Sequence, residues 1–371
     1  MTRRKPRVLF AMHLPPPVHG ASMVGEYIKE SEIINSAFDC RTENIATAET
    51  LADIGKFSLK KIFDVFGLVK RLRKAVGEFA PDLVYYTPNA IGLPFYKDFV
   101  VVEALKMCGC KIILHFHNKG VLARQDRRLD HLLYRRFFKG VTVMLLAEAL
   151  YKDVEKYVDR THVVICENGI PDTVHESPRA DAEGKPHLLF LSNMMETKGV
   201  WDLLDALHIL RGRGKSFVCD FVGGWKDVSE TEFGKRVEAM GLAGCVKAHG
   251  PKYGSEKEAY LHGADIFVFP TYYPKECFPL VLLEAMAHGI ACISTDEGGI
   301  PGIIDEGKTG FIVGRKNARL LADRIEALLD NPEMRREMGR AGRRRFVKEF
   351  TLDTFEHRFT EILERLSAKN I

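Results

Sequence analysis

Short apolar runs alternate with helix-patterned stretches along most of the chain. Arg7–His13 reads as a strand and Ala21–Ile34 as a helix. Leu83–Thr87 is strand-like, Phe95–Met107 helical and Lys111–Phe116 a strand. A basic helix at Arg127–Phe138, a strand at Val141–Leu146, a helix at Ala149–Tyr157 and a strand at His162–Cys166 follow. The run Pro171–Pro186, with three prolines, Gly184 and several charges, interrupts the pattern and reads as a linker. The alternation then restarts with strands at His187–Ser192, Ser216–Val222, Val246–His249, Asp265–Phe269, Ile290–Ser294 and Phe311–Val313. Helices are expected between them, at Val200–Arg211, Glu230–Met240, up to about His262 and at Pro279–His288, and at the end, including Ala318–Leu329 and Leu352–Leu366. Strand–helix alternation of this kind predicts parallel sheets covered by helices on both faces. The predicted fold class is α/β, with two doubly wound domains in tandem whose strand ends face a ligand cleft.

The length of 371 residues agrees with two domains rather than one. Hydrophobic residues make up 46% and charged residues 28%, a globular composition rather than a disordered one. The most apolar stretch, Phe99–Phe116, is broken by Glu103, Lys106 and Lys111, so no membrane-spanning helix is expected. The start is basic, but the apolar run Val8–Leu14 is short, meets Pro15–Pro17 and lacks a small-residue cleavage site, which does not read as a signal peptide. The eight cysteines are scattered and largely sit in apolar runs. A reducing cytoplasm is the consistent compartment. Cys108 and Cys110 form one close pair with no second pair to complete a zinc site.

The richest chemistry lies in Pro270–Gly289, which leaves a buried strand, crosses a proline-punctuated loop and enters a helix. Glu276 falls in the loop and Glu284 in the helix, so each can accept hydroxyl hydrogen bonds from a different part of one polar ligand. Taken singly, each could be an ordinary surface carboxylate. Glu284, however, lies within the apolar run Leu280–Ala287, where a charge needs a partner. Another anion-binding candidate is Leu191–Gly199, between a strand and a helix, where Lys198 and a helix start can face a phosphate.

The loop and helix resemble the Glu-x7-Glu signature of the retaining GT-B glycosyltransferases of family 4. The resemblance continues through Gly289–Pro301, Gly307–Val313 and Asn168-Gly169-Ile170; it is dense from Leu188 to Phe350 and thinner over the first 160 residues. It implies a GT-B fold, with domains at 1–178 and 187–351 and the last helix, 352–371, crossing back to the first domain. It implies that Glu284 binds the ribose hydroxyls of a nucleotide sugar. Glu276 would face the donor sugar, and backbone amides near Phe278, Pro279 and Leu280 would meet sugar and phosphate. Lys198 would be the diphosphate lysine. Asn193 stands where the family usually has an arginine, and it can donate hydrogen bonds but cannot neutralise charge.

In the first domain, Leu14–Met23 resembles the family's glycine loop, with Gly20 kept, His19 in place of the first glycine and Ser22 where a glutamate is common. His115 and His117 alternate onto one face of their strand, which raises a metal reading, but no further ligand set accompanies them. By resemblance His117 is the strand-end histidine beside donor sugar and acceptor. An Asp-x-Asp motif is absent, and the expectation is metal-independent transfer without a cofactor. The implied catalytic group is His117, Lys198 and Glu276, and the implied donor-binding group adds Gly20, Asn193, Phe278, Pro279, Leu280 and Glu284.

Charge then bears on the acceptor. The whole chain has 54 Lys plus Arg and 50 Asp plus Glu, a surplus too small for a nucleic-acid binder. Met1–Pro178 holds 26 basic and 21 acidic residues, leaving 28 and 29 for the remainder, so the first part is +5 and the rest −1. Residues 57–74 carry six cations against one acid, and residues 124–139 six against two. Both interleave cations with Leu, Ile and Phe as interfacial helices do, although a basic helix with its apolar side in the core reads the same way. The expected partners are a nucleotide sugar and a glycan or lipid-linked acceptor, with an anionic membrane surface met through 57–74 and 124–139 at the cytoplasmic face. Rival readings are a nucleotide-sugar epimerase or hydrolase on the same fold, and a non-catalytic nucleotide-sugar-binding module. A Rossmann redox enzyme lacks its Gly-x-Gly-x-x-Gly fingerprint, because Pro15–Pro17 follows the first strand.

Overall fold

The computed structural model describes residues 4–16, 20–46, 59–174 and 184–368, with the side chains of residues 59–63 outside that description. His19, residues 57 and 58 of the first basic segment and most of the proline-rich run 171–186 lie outside the described residues. The chain divides into two units, Met1–Gly169 with Leu352–Ile371, and Ile170–Thr351. The division falls at Gly169, ahead of the expected 178, because Ile170 pairs with Thr351 and its N–H donates to Phe350 O at 3.1 Å.

The first unit contains a six-stranded parallel sheet: β1 (Arg7–Met12), β2 (Asp39–Asn44), β3 (Leu83–Tyr86), β4 (Ile112–His115), β5 (Thr142–Leu145) and β6 (Val163–Ile165), in the order β2-β1-β3-β4-β5-β6. Its helices are α1 (Gly20–Glu30), α2 (Glu32–Ala37), α3 (Leu59–Phe79), α4 (Gly92–Met107), α5 (Val121–Arg124) and α6 (Arg128–Phe137). The central strands β3 and β4 are buried along their whole length, as the continuous apolar runs of a sheet covered on both faces require.

The second unit repeats the architecture with β7 (His187–Leu191), β8 (Val218–Val222), β9 (Val246–Ala248), β10 (Ile266–Phe269), β11 (Ala291–Thr295) and β12 (Gly310–Val313), ordered β12-β11-β10-β7-β8-β9. Its helices are α7 (Val200–Gly212), α8 (Glu230–Ala239), α9 (Gly254–Gly263), α10 (Leu280–Ala287), α11 (Ile300–Ile303), α12 (Ala318–Asp330) and α13 (Pro332–Glu349). The last helix, α14 (Leu352–Ala368), belongs to the first unit, where Phe355, Phe359 and Leu363 join Phe10, Ile34, Tyr85 and Met144 in one buried cluster.

Three sequence expectations are corrected. The helix expected over Ala21–Ile34 is two helices, because the Ser31 side chain accepts from Ile34 N–H at 3.2 Å and caps a new start. The segment Ala149–Tyr157 holds a 3₁₀ turn, Glu148–Asp153, rather than an α-helix. Strand β2 was not expected at all: its sequence DCRTEN is polar because it lies at a sheet edge and is never fully buried. Among the described residues no helix is long and apolar enough to cross a membrane.

Candidate active site

The second unit brings two of the expected residues into direct contact. Strand β7 ends in a tight segment, Ser192–Lys198, that turns through Gly199 into α7. Gly199 has φ +85°, and a Cβ there would lie 2.3 Å from Pro270 O, so only glycine lets this turn reach the end of β10. That approach places Lys198 Nζ 2.5 Å from Glu276 Oε2, 4.6 Å from the Tyr273 ring centroid and 5.4 Å from that of Phe269. The lysine therefore sits over two aromatic faces with its charge matched by one carboxylate.

The loop that carries Glu276 is held from both sides. Tyr272 N–H and the Thr271 hydroxyl donate to Thr197 O, at 2.8 and 3.4 Å. On the opposite side Gly298, at φ +59°, packs where a Cβ would stand 2.2 Å from Glu276 O, and Gly299 N–H donates to Cys277 O at 2.6 Å. Ser294 Oγ donates to Phe269 O at 2.5 Å, and Thr295 Oγ1 to Thr271 O, tying β11 to the same loop. Glu276 is thus a nearly buried carboxylate on a fixed backbone.

Glu284 follows on α10. Its Oε1 accepts from Lys257 Nζ of α9 at 2.9 Å, while Oε2 is buried without a hydrogen-bond partner. Burial pushes its carboxyl above the usual range; Lys257 opposes that shift, Glu258 adds to it and His288 offsets a little. A buried acceptor with an open lone pair is what a ligand hydroxyl would complete. The Thr197 hydroxyl, beside Lys198, is likewise buried and unpartnered.

The remaining expected residues divide by role. Phe278 is buried against Phe350, with ring centroids 5.8 Å apart, so its side chain packs the core and only its backbone is available to a ligand. Pro279 caps α10 and carries no amide hydrogen, which leaves Phe278 and Leu280 as the donors at this helix start. Asn193 is exposed, beside Met194, whose N–H donates to Gly224 O at 2.8 Å.

In the first unit Gly20 opens α1, and a Cβ there would meet nothing within 4 Å. The close-approach glycine of this helix is instead Gly25, where a Cβ would lie 2.2 Å from His13 O. His117 stacks on His115, with ring centroids 4.2 Å apart. His115 is fully buried, its Nδ1 2.7 Å from Tyr85 OH, and burial, with His117 nearby, drives its imidazole well below the usual range. It is neutral at physiological pH. Among the described residues no group of three His, Cys, Asp or Glu side chains is arranged to hold a metal ion.

Sequence reasoning missed Lys257, Tyr273 and Tyr85. Lys257 follows no motif, and its pairing with Glu284 arises only when α9 packs beside α10. Tyr85 meets His115 because adjacent parallel strands β3 and β4 run in register, with Tyr85 opposite Ile113. The glycines at 199 and 298 both lay in segments already noted, but their steric role needs the fold.

Residues 173–345 match the family described as Glycosyl transferases group 1. Over 193 residues the chain is 33% identical to the D-inositol 3-phosphate glycosyltransferase of Arthrobacter sp. (strain FB24), covering 49% of this chain and 45% of that protein. It is 26% identical over 273 residues to the amylovoran biosynthesis glycosyltransferase AmsK of Erwinia amylovora, covering 72% and 67%. The chain thus spans less than half the length of the first of these relatives. The structure of Anabaena Alr3699/HepE in complex with UDP-glucose superposes with a TM-score of 0.73 at 16% identity, covering 97% of this chain and 99% of that one. The fold is GT-B, two parallel six-stranded sheets with their helices.

Proposed function

We propose that this protein moves a sugar from a nucleoside-diphosphate donor to an acceptor hydroxyl, with retention at the anomeric carbon and without a metal ion. The observation that carries the reading is the carboxylate set of the second unit: Glu276 bonded to Lys198 at a helix entry, and Glu284 with one buried oxygen left open. The open oxygen suits a ribose hydroxyl. Lys198, together with the amides that begin α7 and α10, suits a diphosphate on which negative charge grows as the glycosidic bond breaks. The likeness to a structure that binds UDP-glucose supports the donor class.

In this reading the bond between the anomeric carbon and the phosphate oxygen breaks, and its electron pair leaves on the diphosphate. The acceptor oxygen attacks from the same face, and its proton passes to the departing phosphate oxygen. Glu276 holds Lys198 and the donor sugar rather than acting as a nucleophile, and His117 serves the acceptor. AmsK acts in amylovoran biosynthesis by its name, and that supports a polysaccharide or lipid-linked precursor as acceptor. Residues 57–74 and 124–139 would then meet an anionic membrane at its cytoplasmic face.

A thermal-shift panel of nucleoside diphosphates and their sugars tests the donor class, since a ligand that binds only the native state raises its melting point. Glu284→Ala is expected to weaken nucleotide-sugar binding, and Glu276→Ala mainly to lower turnover. Unchanged kinetics in both would sink the site assignment. Release of free sugar or of an epimer, with no acceptor product, would favour the hydrolase or epimerase reading instead.

A further inference from the structure

Helix α4 carries no charged residue at its exposed positions. Its sixteen residues include four charged ones, and each is bonded inward or to a neighbouring helix. Asp98 is fully buried and accepts from Tyr86 OH at 2.6 Å and from Asn89 N–H at 2.7 Å. Lys97 Nζ reaches Ile45 O and Asp98. Lys106 Nζ donates to Arg136 O and Phe137 O, at 2.6 and 2.8 Å, and pairs with Glu103. The exposed positions of α4 are Leu93, Val100 and Met107, at 44%, 44% and 73% exposure. Their seven-residue spacing lays them along a single stripe. A helix that satisfies its charges inside and turns a row of large apolar side chains to water has an unfilled partner surface.

The neighbours extend that stripe and say what it fits. Helices α3 and α6 both pack on α4. Arg136 of α6 bonds Glu103 and Asp130 of α6 accepts from Tyr96 OH, so the two helices run side by side, and α6 also exposes Leu129 and Leu132. Both neighbouring helices expose cations: Lys70, Arg73 and Lys74 on α3, Arg128 and Arg135 on α6. An apolar centre bordered by cations complements a bilayer with anionic headgroups. A second copy of the chain would bring the same positive borders against each other.

We infer that the first unit docks on an anionic lipid surface by inserting Leu93, Val100 and Met107 of α4, with the cations of α3 and α6 resting on the headgroups. The inference rests on the membrane contact read above. It adds that the contact is apolar at its centre and lies on a helix that neither basic segment contains.

Flotation with vesicles of phosphatidylcholine, with and without phosphatidylglycerol, at low and high salt, tests it. The wild-type protein is expected to bind the anionic vesicles and to keep part of that binding at high salt. The variant carrying Leu93→Ser, Val100→Ser and Met107→Ser should lose the salt-resistant part, its partitioning falling about tenfold or more. If that variant binds as the wild type does and salt releases both, the basic segments suffice and the α4 inference is overturned. If the wild type binds neither vesicle, the membrane reading falls and this inference with it, while the nucleotide panel still judges sugar transfer. Val100→Trp gives a second measure that survives poor folding of the triple variant. Its emission should shift to the blue on adding anionic vesicles, and an unchanged spectrum overturns the insertion.

Discussion

Replacing Lys257 by methionine removes the cation beside Glu284 while keeping an unbranched stem of similar length. At 2.9 Å, and an effective dielectric of about 20, the pair attracts by roughly 6 kcal/mol. The two side chains keep 26% and 20% of their exposure, so water screens most of that. The net loss should fall between a surface pair and a buried one, about 1–2 kcal/mol. Its pH dependence is the sharper signature. Burial already raises the Glu284 carboxyl in the folded state, so the folded protein holds that proton more tightly than the unfolded chain does. The ionised carboxylate therefore works against folding as pH rises through the raised value. Lys257 limits this, and without it the range widens. Lys257→Met should cost the full amount near pH 8 and progressively less as pH falls towards the ordinary carboxylate range, where Glu284 is protonated in both states. Urea unfolding followed by tryptophan fluorescence reads the relevant unit, because Trp201 and Trp225 both lie within Ile170–Thr351. An equal loss at pH 5 and pH 8 would show that Lys257 acts through its stem and not its charge.

Other expectations follow from the same geometry. Gly298→Ala places a Cβ 2.2 Å from Glu276 O at φ +59°, so it should lower the melting point and shrink the nucleotide-induced shift; the backbone term alone is about 1–2 kcal/mol. His115 is neutral when buried, so the first unit should lose stability as pH falls below about 6.5, where the unfolded histidine takes a proton. His115→Asn, which keeps a polar partner for Tyr85, should flatten that loss, as seen in hydrogen-exchange protection of Ile112–His115. Phe359→Ala empties a fully buried site and should cost about 3–5 kcal/mol, measured as greater protease sensitivity in the first unit with the tryptophan transition unchanged.

The sheet strands were legible where burial is continuous. Ile266–Phe269 is apolar through its length and Ala291–Thr295 through its first three residues, and both are buried throughout. Strand β2 was not, because an edge strand has no need of an apolar run. Glu276, Glu284 and Lys198 could be picked through the resemblance of their segments to a family signature, since residue type alone leaves each an ordinary surface charge. What joins them could not: the Lys198–Glu276 bond depends on Gly199 approaching Pro270 across the sheet, and Lys257 reaches Glu284 from another helix. The outward stripe of α4 was equally hidden. Phe95–Met107 reads as an ordinary apolar helix until the packing shows which of its sides is left uncovered.

The return of α14 to the first unit has a consequence for synthesis. The second unit, Ile170–Thr351, is one continuous stretch of chain and can close on itself without anything made after it. The first unit cannot, although it is made earlier, because Phe355, Phe359 and Leu363 are still inside the ribosome when Phe10 and Tyr85 are already out. The usual order, with the N-terminal domain finished before the next is made, therefore does not apply. Until residue 363 is released, the nascent first domain carries an open apolar seam along β1 and β3, and that interval is when a chaperone would be needed.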